Sequence, residues 1–181
     1  MTITEALAEI KTTEKRIAKK REFVGQHLAR DERLRDPFDQ DGGSVQIVAR
    51  ELQAVQDLEQ RRVVLRLRIQ EANQRIMVVV GSMTKSLAEW LVWRREVAPN
   101  RQQFLRTVSQ TLEKGRKDAQ QKGMTLVGAG ANVQVGGTQT INVFVNVNER
   151  ALAEEIERLE QILGDLDGQL SLKNATETIQ D

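Results

Sequence analysis

The chain has 181 residues, with 27 basic and 26 acidic side chains, one histidine, no cysteine and only 3 % aromatic residues. The near-zero net charge gives no whole-protein field that would concentrate nucleic acid or an anionic membrane. The lack of cysteine excludes disulfides, thiolate metal sites and a cysteine nucleophile. A charged content of 29 % with so few aromatic residues is typical of helical bundles and coiled coils rather than of cofactor-binding enzymes.

Targeting signals are not expected. The N-terminal segment carries charges every few residues and has no apolar core, so we predict no signal peptide. No run of ~18 apolar residues occurs, so we predict no transmembrane helix and no membrane partner. The expected location is therefore the cytoplasm or a virion.

A first helix is predicted to begin at Thr2, because Thr2 and Glu5 have the spacing of a capping box. Its basic residues surround the helix and alternate with acidic ones, which favours a solvated face over a nucleic-acid patch. A narrow apolar stripe with nearly heptad spacing predicts coiled-coil-like pairing. The stripe contains Ile3, Leu7, Ile10, Ile17, Val24 and Leu28, and is broken only by Glu14 and Arg21.

Residues 35–44 predict a turn between antiparallel helices, because Pro37 cannot continue a helix through its predecessor. Three aspartates in this segment suggest calcium binding. However, an EF-hand alignment would place Pro37 at the first ligand and Val48 at the position of the bidentate glutamate. We therefore predict an acidic turn, with no metal or cofactor.

Ser44 is predicted to cap a second, longer helix that reaches Val80. Five arginines between Arg61 and Arg75 form a basic cluster on it. No aromatic residue lies among them to stack on bases, so ion pairing is favoured over phosphate binding. The predicted apolar face contains Val45, Val48, Leu52, Val55, Leu58, Leu65, Ile69, Ala72, Ile76 and Val80.

A third helix is predicted after Gly81, with Ser82 as its cap and Pro99 as its end or kink. It carries both tryptophans, Trp90 and Trp93. One of them can fill the core while the other anchors a partner, where large amphipathic rings often dominate binding. The alternative is that both pack inside one chain.

Residues 123–148 are predicted to form a β-hairpin, because apolar residues alternate with asparagines between glycine turn signals. A five-residue loop would set Val135 opposite Ile141; a three-residue loop is the competing register. Small residues on one arm favour close approach by another backbone. The predicted partner interface contains Trp90, Trp93, Gly128, Gly130, Asn142, Phe144 and Asn146.

Asn148 is predicted to cap the last helix. Gly164 and Gly168 weaken this helix, which is tolerable if a second helix approaches closely there. The polar tail, residues 174–181, is expected to fray. The clearest heptad seam of the chain contains Leu152, Ile156, Leu159, Leu163, Leu166 and Leu170, reinforced by Ile162.

Four segments together resemble an uncharacterised bacterial family of small helical proteins, some of which carry the name septicolysin. The segments are EALAEIKTTEKRI, LRLRIQEANQRI, SMTKSLAEWLVWR and FVNVNERALAEEIERLEQILGDLDGQLSLKNATETI, in that order. The chain departs from the family in its Trp90/Trp93 pair and its longer, glycine-rich hairpin. The resemblance implies helices paired lengthwise around a small β element, and it implies no activity.

The predicted fold is mainly α: long antiparallel helices in a coiled-coil-like bundle, with one β-hairpin inserted before the C-terminal helix. We expect one domain in three segments. Residues 1–122 form the long helical hairpin and the third helix, residues 123–148 the β-hairpin, and residues 149–181 a helix that packs back on the helical part.

The predicted function is non-enzymatic, because the only histidine, His27, has no second imidazole, thiol or tyrosine to work with. We expect a structural or assembly protein that forms a homo-oligomer through its helical seams and hairpin. A phage virion component is the expected setting, for head decoration or head-tail joining, with other virion proteins as partners. The alternatives are a prefoldin-like binding module or chaperone, and a weak nucleic-acid binder.

Overall fold

The computed structural model describes residues 1–31, 33–128 and 141–180. The chain is mainly helical with a small antiparallel hairpin before the C-terminal helix, which confirms the predicted fold class. It divides into two compact units: a first unit of Met1–Ile76 with Leu170–Asp181, and a second unit of Met77–Gln169. The elements are α1 (Ile3–Gln26), α2 (Ser44–Arg75), β1 (Met77–Val80), β2 (Met83–Ser86), α3 (Leu87–Val92), α4 (Ala98–Gln121), β3 (Thr125–Val127), β4 (Asn142–Phe144) and α5 (Glu149–Thr176).

The N-terminal cap of α1 is the predicted capping box. The Thr2 hydroxyl accepts from the Glu5 N–H at 3.2 Å, and the Glu5 carboxylate accepts from the Thr2 N–H at 2.8 Å. Each partner satisfies a backbone donor that the first helical turn leaves free. The hydrogen bond from the Thr2 backbone lowers the pKa of Glu5.

The buried seam of α1 contains four residues of the predicted stripe, Ile3, Ile10, Ile17 and Val24, and differs from it at the other positions. Ile3, Ala6, Ile10, Thr13, Ile17 and Val24 are buried, whereas Leu7 and Leu28 are exposed. Placing Leu7 and Leu28 in the seam was therefore wrong. In place of Leu7 and Glu14, the smaller residues Ala6 and Thr13 are buried, each one position earlier in the sequence. Small side chains there allow a closely packed neighbour. Glu14 consequently lies beside the seam, where it forms ion pairs, and does not break it.

α2 packs against α1 in the antiparallel direction, as expected. Glu9, early in α1, pairs with Arg61 late in α2, and Lys20 pairs with Glu51 at 2.6 Å near the other ends. The buried apolar residues of α2 are Ile47, Val55, Leu65, Ile69 and Ala72. α2 ends at Arg75 and does not reach Val80, because the β-branched residues that follow form a strand.

Asp36 organises the turn between α1 and α2. Its carboxylate accepts hydrogen bonds from the Phe38 N–H at 2.9 Å, the Ser44 N–H at 2.9 Å and the Ser44 hydroxyl at 2.5 Å. Ser44 is therefore the first residue of α2 and not its cap; Gly43 holds the cap position without a side-chain bond. These donors, the Ser44 hydroxyl first among them, lower the pKa of Asp36 from 3.8 to about 2.

The second unit begins with an antiparallel hairpin of β1 and β2, paired from Met77↔Ser86 to Val80↔Met83. Gly81 takes φ +58° in its two-residue turn, a conformation that glycine adopts without steric cost. The predicted cap Ser82 lies in this turn and starts no helix. α3 is capped instead by Ser86, whose hydroxyl accepts from the Glu89 N–H at 3.2 Å in a second capping box.

Pro99 does not end the helical run that carries the tryptophans, because it lies in the first turn of α4. Between α3 and α4 the backbone makes one wider turn, Trp93–Val97, in which the Ala98 N–H reaches back five residues to the Trp93 carbonyl. Such a turn accommodates a proline that has no N–H to donate. The Asn100 amide donates to the Glu96 carbonyl at 2.7 Å and adds a partner there.

Residues 123–128 and 141–148, the described parts of the predicted hairpin, do not pair in the antiparallel direction. β3 and β4 pair in parallel, with Leu126 opposite Val143 and Val127 opposite Phe144. The proposed antiparallel register used residues 129–135, which lie outside the described residues. An antiparallel hairpin does occur among the described residues at 77–86, before α3 and α4.

α5 begins as predicted, with the Asn148 side chain accepting from the Ala151 N–H at 3.1 Å. Leu159 and Leu166 of the predicted seam are buried in the second unit, where α5 also forms ion pairs with α4 through Arg101–Glu155 and Arg116–Glu149.

The tail after α5 is ordered against the N-terminus of the first unit, so the prediction that it frays was wrong. Ile3 donates its N–H to the Glu177 carbonyl at 3.2 Å, and Ile179 donates to the Met1 carbonyl at 3.0 Å. The Ile179 side chain is buried.

Candidate assembly surfaces

The two tryptophans lie on α3 and just after it, and only Trp93 reaches the surface. The Trp90 ring is fully buried against the hairpin, and its indole N–H donates to the Val78 carbonyl at 3.1 Å. Its predicted role as a partner contact was therefore wrong, because no part of it is accessible. Trp93 is half-buried and packs edge-to-face on Trp90, with 5.5 Å between ring centroids.

The other predicted interface residues lie at the parallel strand pair of the second unit. Phe144 and Asn146 are exposed, Asn142 is half-buried, and Gly128 has open space where a side chain would begin. Gly130 lies outside the described residues. The pairing of Val127 with Phe144 brings Gly128 to the same end of the pair as Phe144. A partner contact at these residues stays a prediction.

A surface that the sequence reasoning missed runs along α2. The α2 outer stripe consists of Val45, Ala49, Leu52, Gln56, Gln60, Val63 and Leu67. At ~100° per residue these seven lie within an arc of about 80°, roughly opposite the buried Leu65 and Ala72. The exposed fractions are 84 % for Val45, 47 % for Leu52, 47 % for Val63 and 52 % for Leu67. Placing Val45 and Leu52 on the core-facing side was therefore wrong.

A groove lies beside the N-terminal half of this stripe, within the first unit. The helix-end groove has a volume of about 320 Å³. Its walls are mostly apolar and partly exposed, with one cationic side chain at the rim. They are formed by His27, Leu28, Ala29, Arg30, Ser44, Val45, Val48, Ala49 and Leu52.

The basic cluster of α2 is engaged by carboxylates of α1. Arg61 pairs with Glu9, and Glu14 lies 3.2 Å from Arg66 and 3.9 Å from Arg62. The Glu9 carboxylate raises the pKa of Arg61. These contacts are the ion pairs that the sequence favoured over phosphate binding, with partners on the neighbouring helix. Arg75 donates to the Thr178 carbonyl at 3.2 Å.

The titratable groups whose pKa shifts lie at helix caps, turns and ion pairs. The backbone hydrogen bond from Ser86 lowers the pKa of Glu89, and the side chain of Arg33 lowers that of Asp31. His27 stacks on Phe23 with 4.3 Å between centroids, and its Nδ1 lies 2.8 Å from the Phe23 carbonyl oxygen. Each of these arrangements stabilises local structure.

Within 1–31, 33–128 and 141–180, no group of three or more acidic or histidine side chains is placed to hold a metal ion. None of the helices in the same ranges is long and apolar enough to cross a membrane.

No protein-family model, curated protein or solved structure matches the chain. The resemblance to the small helical bacterial family therefore stays a prediction.

Proposed function

We propose that the protein is a non-enzymatic structural protein that self-associates. The α2 outer stripe is the observation that carries this proposal. α2 already fills its inner face against α1, so the stripe is apolar surface in excess of what the chain needs to fold. Exposed apolar surface on a long, regular helix is typical of an interaction site.

The size of the effect supports association. Fully burying a valine or leucine side chain is worth ~1.5–3 kcal/mol, and the four valine and leucine residues of the stripe are about half exposed or more. Covering them would gain on the order of 4 kcal/mol per copy. Because association itself costs ~4–15 kcal/mol, the fit of the partner decides the affinity.

The setting that we propose is a phage virion, with the protein in head decoration or head-tail joining and free in the cytoplasm before assembly. The support is a combination of features: paired long helices, small β elements with exposed Ile141 and Phe144, and the α2 outer stripe. Flanking capsid, portal or tail genes would support this setting, and their absence from several related genomes would count against it.

Light scattering over a range of protein concentrations tests the self-association. We expect one discrete oligomer at micromolar concentration, and a folded monomer throughout that range would overturn the proposal. A chaperone would instead suppress aggregation of an unfolded client at substoichiometric amounts, which we do not expect. A nucleic-acid binder would show strongly salt-dependent binding, lost on charge reversal at Arg61, Arg62 and Arg66.

A further inference from the structure

The α2 outer stripe has the same spacing in both directions along the helix. From Val45 to Gln56 its residues follow at steps of four, three and four, and the same steps lead from Gln56 to Leu67. A surface that binds a second copy of itself about a two-fold axis must be self-complementary in this way. With the axis at Gln56, Val45 faces Leu67 of the second copy and Ala49 faces its Val63.

The two halves of the stripe also differ in shape. The N-terminal half, with Val45, Ala49 and Leu52, forms one wall of the helix-end groove. The C-terminal half carries Val63 and Leu67, which are about half exposed. An antiparallel second copy would set its C-terminal half against the half of the first that lines the groove, and the symmetry repeats the contact.

Charge is absent from the stripe, as it is from the centres of protein interfaces. Its polar members, Gln56 and Gln60, are uncharged. Gln56 can exchange amide hydrogen bonds with its symmetry mate on the axis, and Gln60 faces Leu52 of the second copy. The nearest charged residues at its margins are Glu59, Arg66 and Glu71. Glu59 and Arg66 pair with Arg21 and Glu14 of α1, whereas Glu71 is exposed one turn beyond Leu67. A second copy would therefore meet paired charges at Glu59 and Arg66.

We propose that two copies of the chain dock through their α2 outer stripes, antiparallel about a two-fold axis at Gln56. Leu67 of each copy faces the helix-end groove of the other. This inference rests on the proposed self-association and adds the occupant, the direction and the register. The stripe is ~33 Å long and ~10 Å wide, so the two copies cover roughly 660 Å² in total, which is smaller than a standard interface and is the size of a weak, transient one. We expect dissociation in the micromolar range.

Disulfide trapping tests the register, because the chain contains no cysteine. We expect Gln56→Cys to form a disulfide-linked dimer under mild oxidation, since two residues on the axis come within the ~7 Å that a disulfide spans. Gln70→Cys is the matched control: it is also exposed on α2, but its two copies would lie ~40 Å apart. Equal cross-linking of both variants would indicate parallel pairing, and no cross-linking of Gln56→Cys would also overturn the inference.

A charge pair tests the same contact without oxidation. Val45→Glu or Leu67→Lys alone should weaken the dimer about tenfold or more, because each buries an unpaired charge. The double variant should recover dimerisation, since the two introduced charges face each other across the interface. Circular dichroism should show all three folded, because both side chains are exposed.

The outcomes separate the two proposals. A monomeric wild-type chain overturns both the self-association and this interface. An oligomeric wild-type chain that neither substitution weakens overturns this interface alone.

Discussion

A single side chain, that of Asp36, binds both the turn after α1 and the first residue of α2. Its carboxylate binds donors from Phe38 and Ser44, and Arg30 lies 3.6 Å away at its outer side. Because all of these contacts favour the ionised form, the pKa falls to about 2. The sequence showed an acidic turn, but which of its aspartates binds the start of α2 depends on how the loop folds back.

This shift predicts a specific acid sensitivity. A lowered pKa in the folded state gives stability that is fully present above the unfolded value of 3.8 and is lost as pH falls towards about 2. In Asp36→Asn, which keeps a carbonyl acceptor, we expect lower stability at pH 6 and a smaller loss of stability between pH 4 and 2. Urea unfolding at several pH values measures both quantities.

Asp39→Asn is the matched control, because Asp39 is exposed in the same turn and only its pairing with Arg35 is lost. It should retain the wild-type pH dependence. If Asp36→Asn loses as much stability between pH 4 and 2 as the wild type, other carboxylates control the loss of stability at low pH.

Among the elements, helix starts were predicted best when the signal was local. The capping box of Thr2 and Glu5 and the cap at Asn148 are both present, because each depends on residues within one helical turn. In the α1 seam, the line from Ile3 to Val24 was predicted and the second line was not. Leu7 is more apolar than Ala6, and only packing against α2 shows that the small residue lies inside.

The hairpin of β1 and β2 was missed for a physical reason. Ile69, Ala72, Ile76 and Val80 continue the spacing of a helical face, so the run also fits α2. The signals against a helix were the β-branched run ending at Val80 and the Gly81-Ser82 pair, which is typical of a two-residue hairpin turn. Strand pairing outweighed helical periodicity there.

Two glycines of α5 give a prediction at this scale. A Cβ at Gly164 or Gly168 would meet nothing within 4 Å among the described residues, so no close helix explains them in a single chain. We expect Gly164→Ala and Gly168→Ala each to raise the free energy of unfolding by about 0.5–1 kcal/mol. Thermal or urea unfolding of the single and double variants measures the gain.

Gly42→Ala provides a control of opposite sign. Gly42 takes φ +94°, a conformation that strains a residue with a Cβ, so this variant should be less stable. If the α5 substitutions instead destabilise the protein or change its oligomeric state, a second copy must approach α5 at these glycines.

For the whole molecule, the response to salt distinguishes an assembly held by ion pairs from one held by apolar contacts. The ion pairs of α1 and α2 are largely solvent-exposed at their arginines, so salt screens them at little cost to stability. The α2 outer stripe contains no charge. We therefore expect the dimer dissociation constant to change less than about tenfold between ~0.1 M and ~1 M NaCl, as an apolar contact requires.

Sedimentation or light scattering at the two salt concentrations measures this constant. Arg66→Gln is a suitable control, because it removes an ion pair beside the stripe and should leave the salt response nearly unchanged. A steep loss of association at high salt would point to an interface made of charges.

The division into two units could not be predicted from sequence patterns. Each helix was predicted from its own hydrophobic periodicity, which does not show which distant segments of the chain contact each other. The first unit is closed by Ile179 and the residues beside it, which pair with the N-terminus more than 170 positions away along the chain.

That closure has a consequence for the order of events during synthesis. α1 and α2 are complete about 100 residues before the tail that seals the first unit. At ~5–20 residues per second, the ribosome takes roughly 5–20 s to make the rest of the chain. Neighbouring nascent chains on one messenger RNA therefore carry finished α2 outer stripes while both are still being translated, and we expect pairing to begin there.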